Sequence, residues 1–351
     1  MHQRTELTSR SAVINEGRKV DLSIAAIIPL YNGARWVEQS IQSVLLQTLL
    51  PNELIVVDDG STDNGPDIVA RLAADHPLIK LLHKPNGGQS AARNFGVRHS
   101  ESALIALLDQ DDVWYPHHLE ELVKPFRRRR SIPLGWVCSE LSEIDETGGL
   151  ITRDFLRKLG RNHPKTSLRE CLKENMFILP SACLIDREAF EKVGGFDERL
   201  SGYEDDDLFL RLFRADYDNV FLDKPLSKWR IHSSSSSHTA RMRQSAVVYV
   251  RKLMGDFRDV KAQDGNFVRE CIAPRFVKTL LVEYFHAGNR KDFAAMQLAI
   301  DTIVSLLPHL QFRTRAMLWP LAYLHSLRIL RLTAAALPHD RLRALGKLVV
   351  H

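Results

Sequence analysis

Two rhythms of apolar and polar positions alternate through the first third of the chain. SIAAIIPL (23–30), ELIVVDD (53–59), LIKLLH (78–83) and SALIALLD (102–109) are short apolar runs, the pattern of buried strands. Between them the period becomes helical. Trp36, Val37, Ile41, Val44 and Leu45 share such spacing within 34–47, and helices are predicted over 63–75 and 89–100. Strands alternating with helices predict a parallel, doubly wound α/β sheet. Beyond residue 130 the rhythm loosens, with strands expected at 134–141, 181–185, 219–222 and 226–231 and helices near 167–173, 187–193 and 205–214. Ser233 to Ser237 is a five-serine run that reads as a mobile loop. From about 239 the pattern is helical, ending in basic, leucine-rich stretches at 321–336 and 340–350. Three segments result: a polar arm (1–21), an α/β domain (22–238) and a basic helical region (239–351).

Ligands of open α/β sheets bind beyond the carboxyl ends of the strands. Those ends carry Tyr31-Asn32, Asp58-Asp59, and Asp109, Asp111 and Asp112. Three polar clusters are therefore expected along one edge.

Charge and cysteine usage narrow the class. Of 351 residues, 44% are hydrophobic and 26% charged, which excludes a disordered chain. Cys138, Cys171, Cys183 and Cys271 lack metal-ligand spacing and are expected reduced, as in a reducing compartment. The N-terminus has no apolar signal core, so export is not expected, and no apolar run is long enough to span a membrane. Residues 239–351 hold 18 Lys+Arg against 8 Asp+Glu, whereas residues 1–238 hold 30 against 35. An acidic part suited to cations is joined to a basic part suited to anions.

Individual clusters sharpen this picture. Carboxylates as crowded as Asp109, Asp111 and Asp112 repel one another unless a hard divalent cation joins them. Asp112 also suits a helix N-terminus, whereas Asp109 ends a strand. The spacing and closing Glu of an EF-hand are absent. Tyr31 offers a ring face, and Asp59 an acceptor for a base N–H. KPNGGQSAARNFG (84–96) sets a glycine pair before a helix, but no Lys-Ser/Thr follows it as in phosphate loops. Its Arg93 either reaches a ligand or lies unpartnered on the surface. Glu204, Asp205, Asp206 and Asp207 are more acid than a first helical turn needs, so one of them is a candidate general base. Arg230 and His232 fall on one face of a strand end.

Taken in order, SIAAIIPLYNGARWVEQSIQSVLLQT, ELIVVDDGSTD, NGGQSAARNFG, LIALLDQDDVWYPHHLEEL, VGGFDE, GYEDDDLFLRL and WRIH resemble the inverting family 2 glycosyltransferases, over about residues 22–238. The resemblance implies a GT-A fold: a Rossmann-like, mainly parallel sheet flanked by helices, here with an added helical C-terminal region. It implies that Pro29, Tyr31, Asp59 and Arg93 hold the nucleotide base and neighbouring groups, with Asp109 near the ribose. Asp111, with His232 nearby, would hold Mn²⁺ or Mg²⁺ on the diphosphate. Asp205, preceded by Glu204, would be the catalytic base. The implied substrates are a nucleotide-sugar donor, commonly a UDP-sugar, and a glycan or lipid-linked acceptor; nucleic acid is not among the partners. The implied setting is cytoplasmic, at the inner face of the cell membrane if residues 239–351 meet lipid; a homodimer through that region is the alternative. Two other readings compete. A nucleotidyltransferase would carry a Gly-rich, Arg/Lys-containing loop where PLYNGARW stands. A non-catalytic carbohydrate-binding protein would be expected to lose Asp111 or Glu204-Asp205, and both are intact.

Overall fold

The computed structural model describes residues 21–232, 240–258, 260–262 and 265–326. The N-terminal arm, the five-serine run and the stretch 327–351, which contains most of the two basic leucine-rich segments, lie outside the described residues.

Four strands come first along the chain: β1 (Ile24–Leu30), β2 (Glu53–Asp58), β3 (Ile79–His83) and β4 (Leu104–Leu107). They pair in the order β3-β2-β1-β4, all parallel. β1, β2 and β4 are buried on both faces, which is why each reads as a near-continuous apolar run, whereas β3 at the sheet edge exposes Lys80 and His83. The period of two still divides them. Ile24, Ala26, Ile28 and Leu30 of β1 join one core, and Ala25 and Ile27 join the other. Each fully buried Ile or Leu contributes about 1.5–3 kcal/mol over its exposed state.

The sheet continues with β5 (Val113–Trp114), β6 (Leu134–Ile144), β7 (Leu150–Thr152), β8 (Cys183–Asp186) and β9 (Asp218–Arg230). The order is β4-β8-β6-β9-β5, with β7 on β6. This half is mixed, where a mainly parallel sheet was expected. β8 runs antiparallel to both β4 and β6, and β9 runs parallel to β6. Apolar runs mark strands but carry no direction. The two reversals cancel, so β6 and β9 point the same way as β1, β2 and β4, and the end of β9 reaches the edge where β4 ends. The two strands expected at 219–222 and 226–231 are one. Its register against β6 shifts around Ser139–Leu141, which accommodates Pro225.

Among the described residues there are twelve α-helices: α1 (Val37–Leu45), α2 (Gly65–Asp75), α3 (Gln89–Arg98), α4 (His118–Val123), α5 (Phe155–Lys158), α6 (Leu168–Lys173), α7 (Arg187–Lys192), α8 (Glu204–Arg214), α9 (Ala240–Asp256), α10 (Ala273–Asn289), α11 (Phe293–Leu306) and α12 (Phe312–Ser326). Helices α1, α2 and α4 pack on one face. Helices α3, α6, α7 and α8 pack on the other, and α9–α11 extend that same core through Tyr249, Phe276, Tyr284 and Ile303. The change near residue 238 is thus one of secondary structure, and the core runs across it. Helix α3 lies close on the sheet because residue 96 is glycine; a Cβ there would come within 2.5 Å of Ile27 Cγ2. All four cysteines are buried and free. Among the described residues, no helix is long and apolar enough to cross a membrane.

Candidate active site

The turn after β4 is closed by a backbone bond and tied to the end of β1 by the Gln110 side chain. The Asp112 N–H donates to the Asp109 carbonyl (3.1 Å). Gln110, between the carboxylates, faces β1. Its Oε1 accepts the Tyr31 N–H (2.8 Å) and its Nε2 donates to the Tyr31 carbonyl (3.1 Å). The Gln110 amide lies over Gly33, where any Cβ would collide with it.

The three aspartates take different partners. Asp109 Oδ1 accepts from Arg93 Nη2 at 2.5 Å. Asp111 Oδ2 lies 2.7 Å from His232 Nε2. Asp112 is buried and accepts the Arg230 N–H (3.0 Å). The helix N-terminal reading of Asp112 is therefore corrected: α4 begins only at His118, and Asp112 fastens the end of β9. Burial pushes the Asp111 carboxyl above its usual range, the Asp109 charge adds to this, and His232 opposes it. Arg230 braces the same turn, its Nε donating to the Asp111 carbonyl (2.7 Å) and its Nη2 to Gln39 Oε1 (2.6 Å). Arg230 and His232 thus converge on one aspartate, as their shared face predicts. The Trp36 ring lies 4.2 Å from the His232 ring. Trp36, which shares helical spacing with Val37, Ile41, Val44 and Leu45, stands at the N-cap position of α1 and backs the histidine.

The nucleotide-side residues are less uniform. Tyr31 is 46% exposed at the strand end, whereas Pro29 is buried within β1, opposite Val57. Asp59 is buried, and its carboxylate organises the glycine loop, accepting from Lys84 Nζ (2.5 Å) and from the N–H groups of Gly87 (2.9 Å) and Gly88 (2.7 Å). Lys84 escaped the sequence reading, as an ordinary lysine before a proline. Arg93 is neither a surface residue nor open to a ligand, being 1% exposed. Its guanidinium bridges Asp109 and Glu204 (3.2 Å). Burial opposes its charge, but the two carboxylates outweigh this and hold its pKa above the ordinary value.

At the start of α8 the four acids separate. Glu204 accepts from Arg93 and from Gln89. Asp206 accepts the Met176 N–H (2.9 Å) and pairs with Arg275 of α10. Asp207 pairs with Arg211 (2.7 Å) and with Lys252 of α9 (2.7 Å). Asp205 is partly exposed, accepts the Asp206 N–H (2.8 Å), and among the described residues no cation bonds it. Burial, then the charges of Glu204 and Asp206, raise its carboxyl well above the usual range. Asp109 and Asp205 are linked through Arg93 and Glu204, so strand end and helix start belong to one constellation. A cavity of about 620 Å³ opens elsewhere, between α3 and the loop Gly194–Arg199, and none of the predicted site residues lines it.

Asp111 and His232 bring an oxygen and a nitrogen within 2.7 Å of each other. That pair suits a Mn²⁺ or Mg²⁺ ion that takes its other ligands from water and phosphate. Among the described residues no group of three or more His, Cys, Asp or Glu side chains forms a complete cage.

The sequence model of Glycosyl transferase family 2 matches residues 25–194. An uncharacterized glycosyltransferase of Rickettsia prowazekii is 32% identical over 221 residues, covering 62% of this chain and 66% of that protein. The chain spans less than two thirds of the curated relatives it matches, and only 35% of a Rickettsia conorii glycosyltransferase. Among solved structures, TarS 1–349 of S. aureus in complex with UDP-GlcNAc aligns with a TM-score of 0.60 at 16% identity, over 89% of this chain and 90% of that one. Mannosyltransferase PcManGT of Pyrobaculum calidifontis, in complex with GDP-Man and Mn²⁺, gives 0.53 at 18% identity, over 93% and 86%. Through residues 25–194 the chain belongs to glycosyl transferase family 2, on the GT-A fold.

Proposed function

We propose that the protein transfers a glycosyl group from a nucleoside diphosphate sugar, a UDP-sugar first among them, to an acceptor hydroxyl with inversion at the anomeric carbon. The observation that carries this reading is the sorting of acids at α8: three are held by Arg93, Arg275, Arg211 and Lys252, leaving Asp205 partly exposed with a raised pKa. A carboxylate so placed suits a general base.

Tyr31 stacks on the nucleotide base at the end of β1, beside the Asp59-held loop 84–88. Arg93 acts through Asp109 and Glu204 and fixes both. Asp111 and His232 would hold a divalent cation, which when bound would offset the charge that grows on the leaving group. Asp205 accepts the proton of the acceptor hydroxyl as that oxygen attacks the anomeric carbon. The bond to the diphosphate oxygen breaks on the opposite face. A single displacement needs no enzyme nucleophile. The acceptor is a glycan or a lipid-linked glycan.

Release of the nucleoside diphosphate from a panel of nucleotide sugars, with Mn²⁺ or Mg²⁺ supplied, tests the reading. Turnover of one donor that falls by ~10²–10⁴ in Asp205→Asn supports it. No release from any donor, with a panel of glycan acceptors present, would sink it.

A further inference from the structure

The C-terminal helices present a surface that transfer chemistry does not use. On α12, Phe312, Ala316, Trp319 and Tyr323 recur at i, i+4, i+7 and i+11, so they line one helix face. Leu318 carries the buried contact. On this face Phe312 is 73% exposed, Trp319 62% and Tyr323 59%. Met317 and, on α11, Val304 are also exposed. An apolar groove of about 500 Å³ runs beside the stripe, lined by Val304, Leu307, Pro308, Phe312, Ala316 and Trp319. Exposed apolar surface of this kind marks an interaction site.

Charge selects the occupant. Arg313 and Arg315 flank the stripe, both exposed, and α12 contains no acid. The sequence beyond continues with Arg328, Arg331, Arg341, Arg343 and Lys347 against a single acid, Asp340. Trp, Tyr and Phe beside arginine are the composition of a helix lying in a lipid headgroup layer. We propose that the α12 face docks on an anionic membrane surface, with its aromatic rings entering the headgroup region and its arginines meeting lipid phosphates. This goes beyond glycosyl transfer and stands whether or not that reading holds.

The experiment is co-sedimentation of the full chain with vesicles, in low salt. Vesicles of equal parts phosphatidylglycerol and phosphatidylcholine should pellet the protein; pure phosphatidylcholine should not, and high salt should release it. Arg313→Gln with Arg315→Gln should weaken partitioning by roughly thirtyfold, about fivefold for each arginine. Phe312→Ser, Trp319→Ser and Tyr323→Ser together should abolish it. These side chains are exposed, and an unchanged thermal transition would show that the variant remains folded. The proposal is overturned if the intact protein stays in the supernatant with anionic vesicles. It is equally overturned if the folded triple variant still pellets, or if that variant changes only a monomer–dimer equilibrium in sedimentation velocity, which would assign the face to a second copy.

Discussion

Asp205 differs from its three acidic neighbours in what surrounds it. Burial, reinforced by Glu204 and Asp206, favours its neutral form and raises its pKa above the ordinary 3.8. A base must be deprotonated to act. Hence kcat/KM is expected to climb with pH through a midpoint above 3.8. Asp205→Asn should lower kcat by ~10²–10⁴ and remove that limb from the pH profile, with donor affinity unchanged. Donor affinity measured by calorimetry separates this from a nucleotide-binding role: its collapse with kcat intact would reassign the residue. Asp111 carries a different expectation. Asp111→Ala should nearly abolish transfer by removing several kcal/mol of leaving-group stabilisation, and should weaken Mn²⁺ binding measured by electron paramagnetic resonance, while circular dichroism stays native. Full activity of this variant in chelator-treated buffer would rule the metal role out. The sequence pointed to Arg93 but not to its task. An arginine's burial is decided by what folds over it, and here both ends of its guanidinium meet carboxylates from other elements.

At the scale of elements, the start of α8 is gripped by the C-terminal helices. Tyr203, in a left-handed conformation (φ 63°) just before the helix, stacks on Tyr249 of α9 and lies 5.9 Å from Phe276 of α10. Ser201 N–H donates to Ser245 Oγ (2.8 Å). Arg275 and Lys252 bind the two acids that follow Asp205. The helices beyond residue 239 therefore set where the proposed base stands. Arg275→Met should leave Asp206 buried and unpaired, shift the turn, and lower kcat by up to about 10²-fold, with the donor KM little changed. Steady-state kinetics on donor and acceptor decide the matter; a raised donor KM at constant kcat would place the effect at the nucleotide. No pattern in the sequence singled out Arg275 or Lys252, because each meets its partner across a long sequence separation.

For the whole molecule, acid stability rests partly on His118. Its ring is buried, stacks on Trp114 and bonds the Leu226 carbonyl through Nδ1 (3.0 Å), while Nε2 has no partner among the described residues. Burial holds its pKa down at about 3, against an ordinary 6.5. The unfolded chain therefore takes up a proton below 6.5 that the folded chain refuses. Stability is expected to fall as pH drops from 6.5 towards 3, by about 1.4 kcal/mol per pH unit from this group. Urea unfolding across that range should show the slope, and His118→Gln should flatten it; an equal slope in the variant would exclude His118 as its source.

The sequence alone determined the alternating strands and helices, the strand ends that carry Tyr31, Asp59 and Asp109–Asp112, and the acidic start of α8. These are local: a period of two or 3.6 and a neighbouring turn suffice to mark them. It also carried the family resemblance, which the match over residues 25–194 bears out. Only the tertiary structure decided the direction of β8, the continuity of β9 and the core shared across residue 238. It also decided which of four adjacent acids no cation bonds among the described residues, and that Arg93 lies buried between Asp109 and Glu204. Each of these depends on residues far apart in sequence meeting in space, and on burial, which sets charge and pKa only once the surrounding elements have packed.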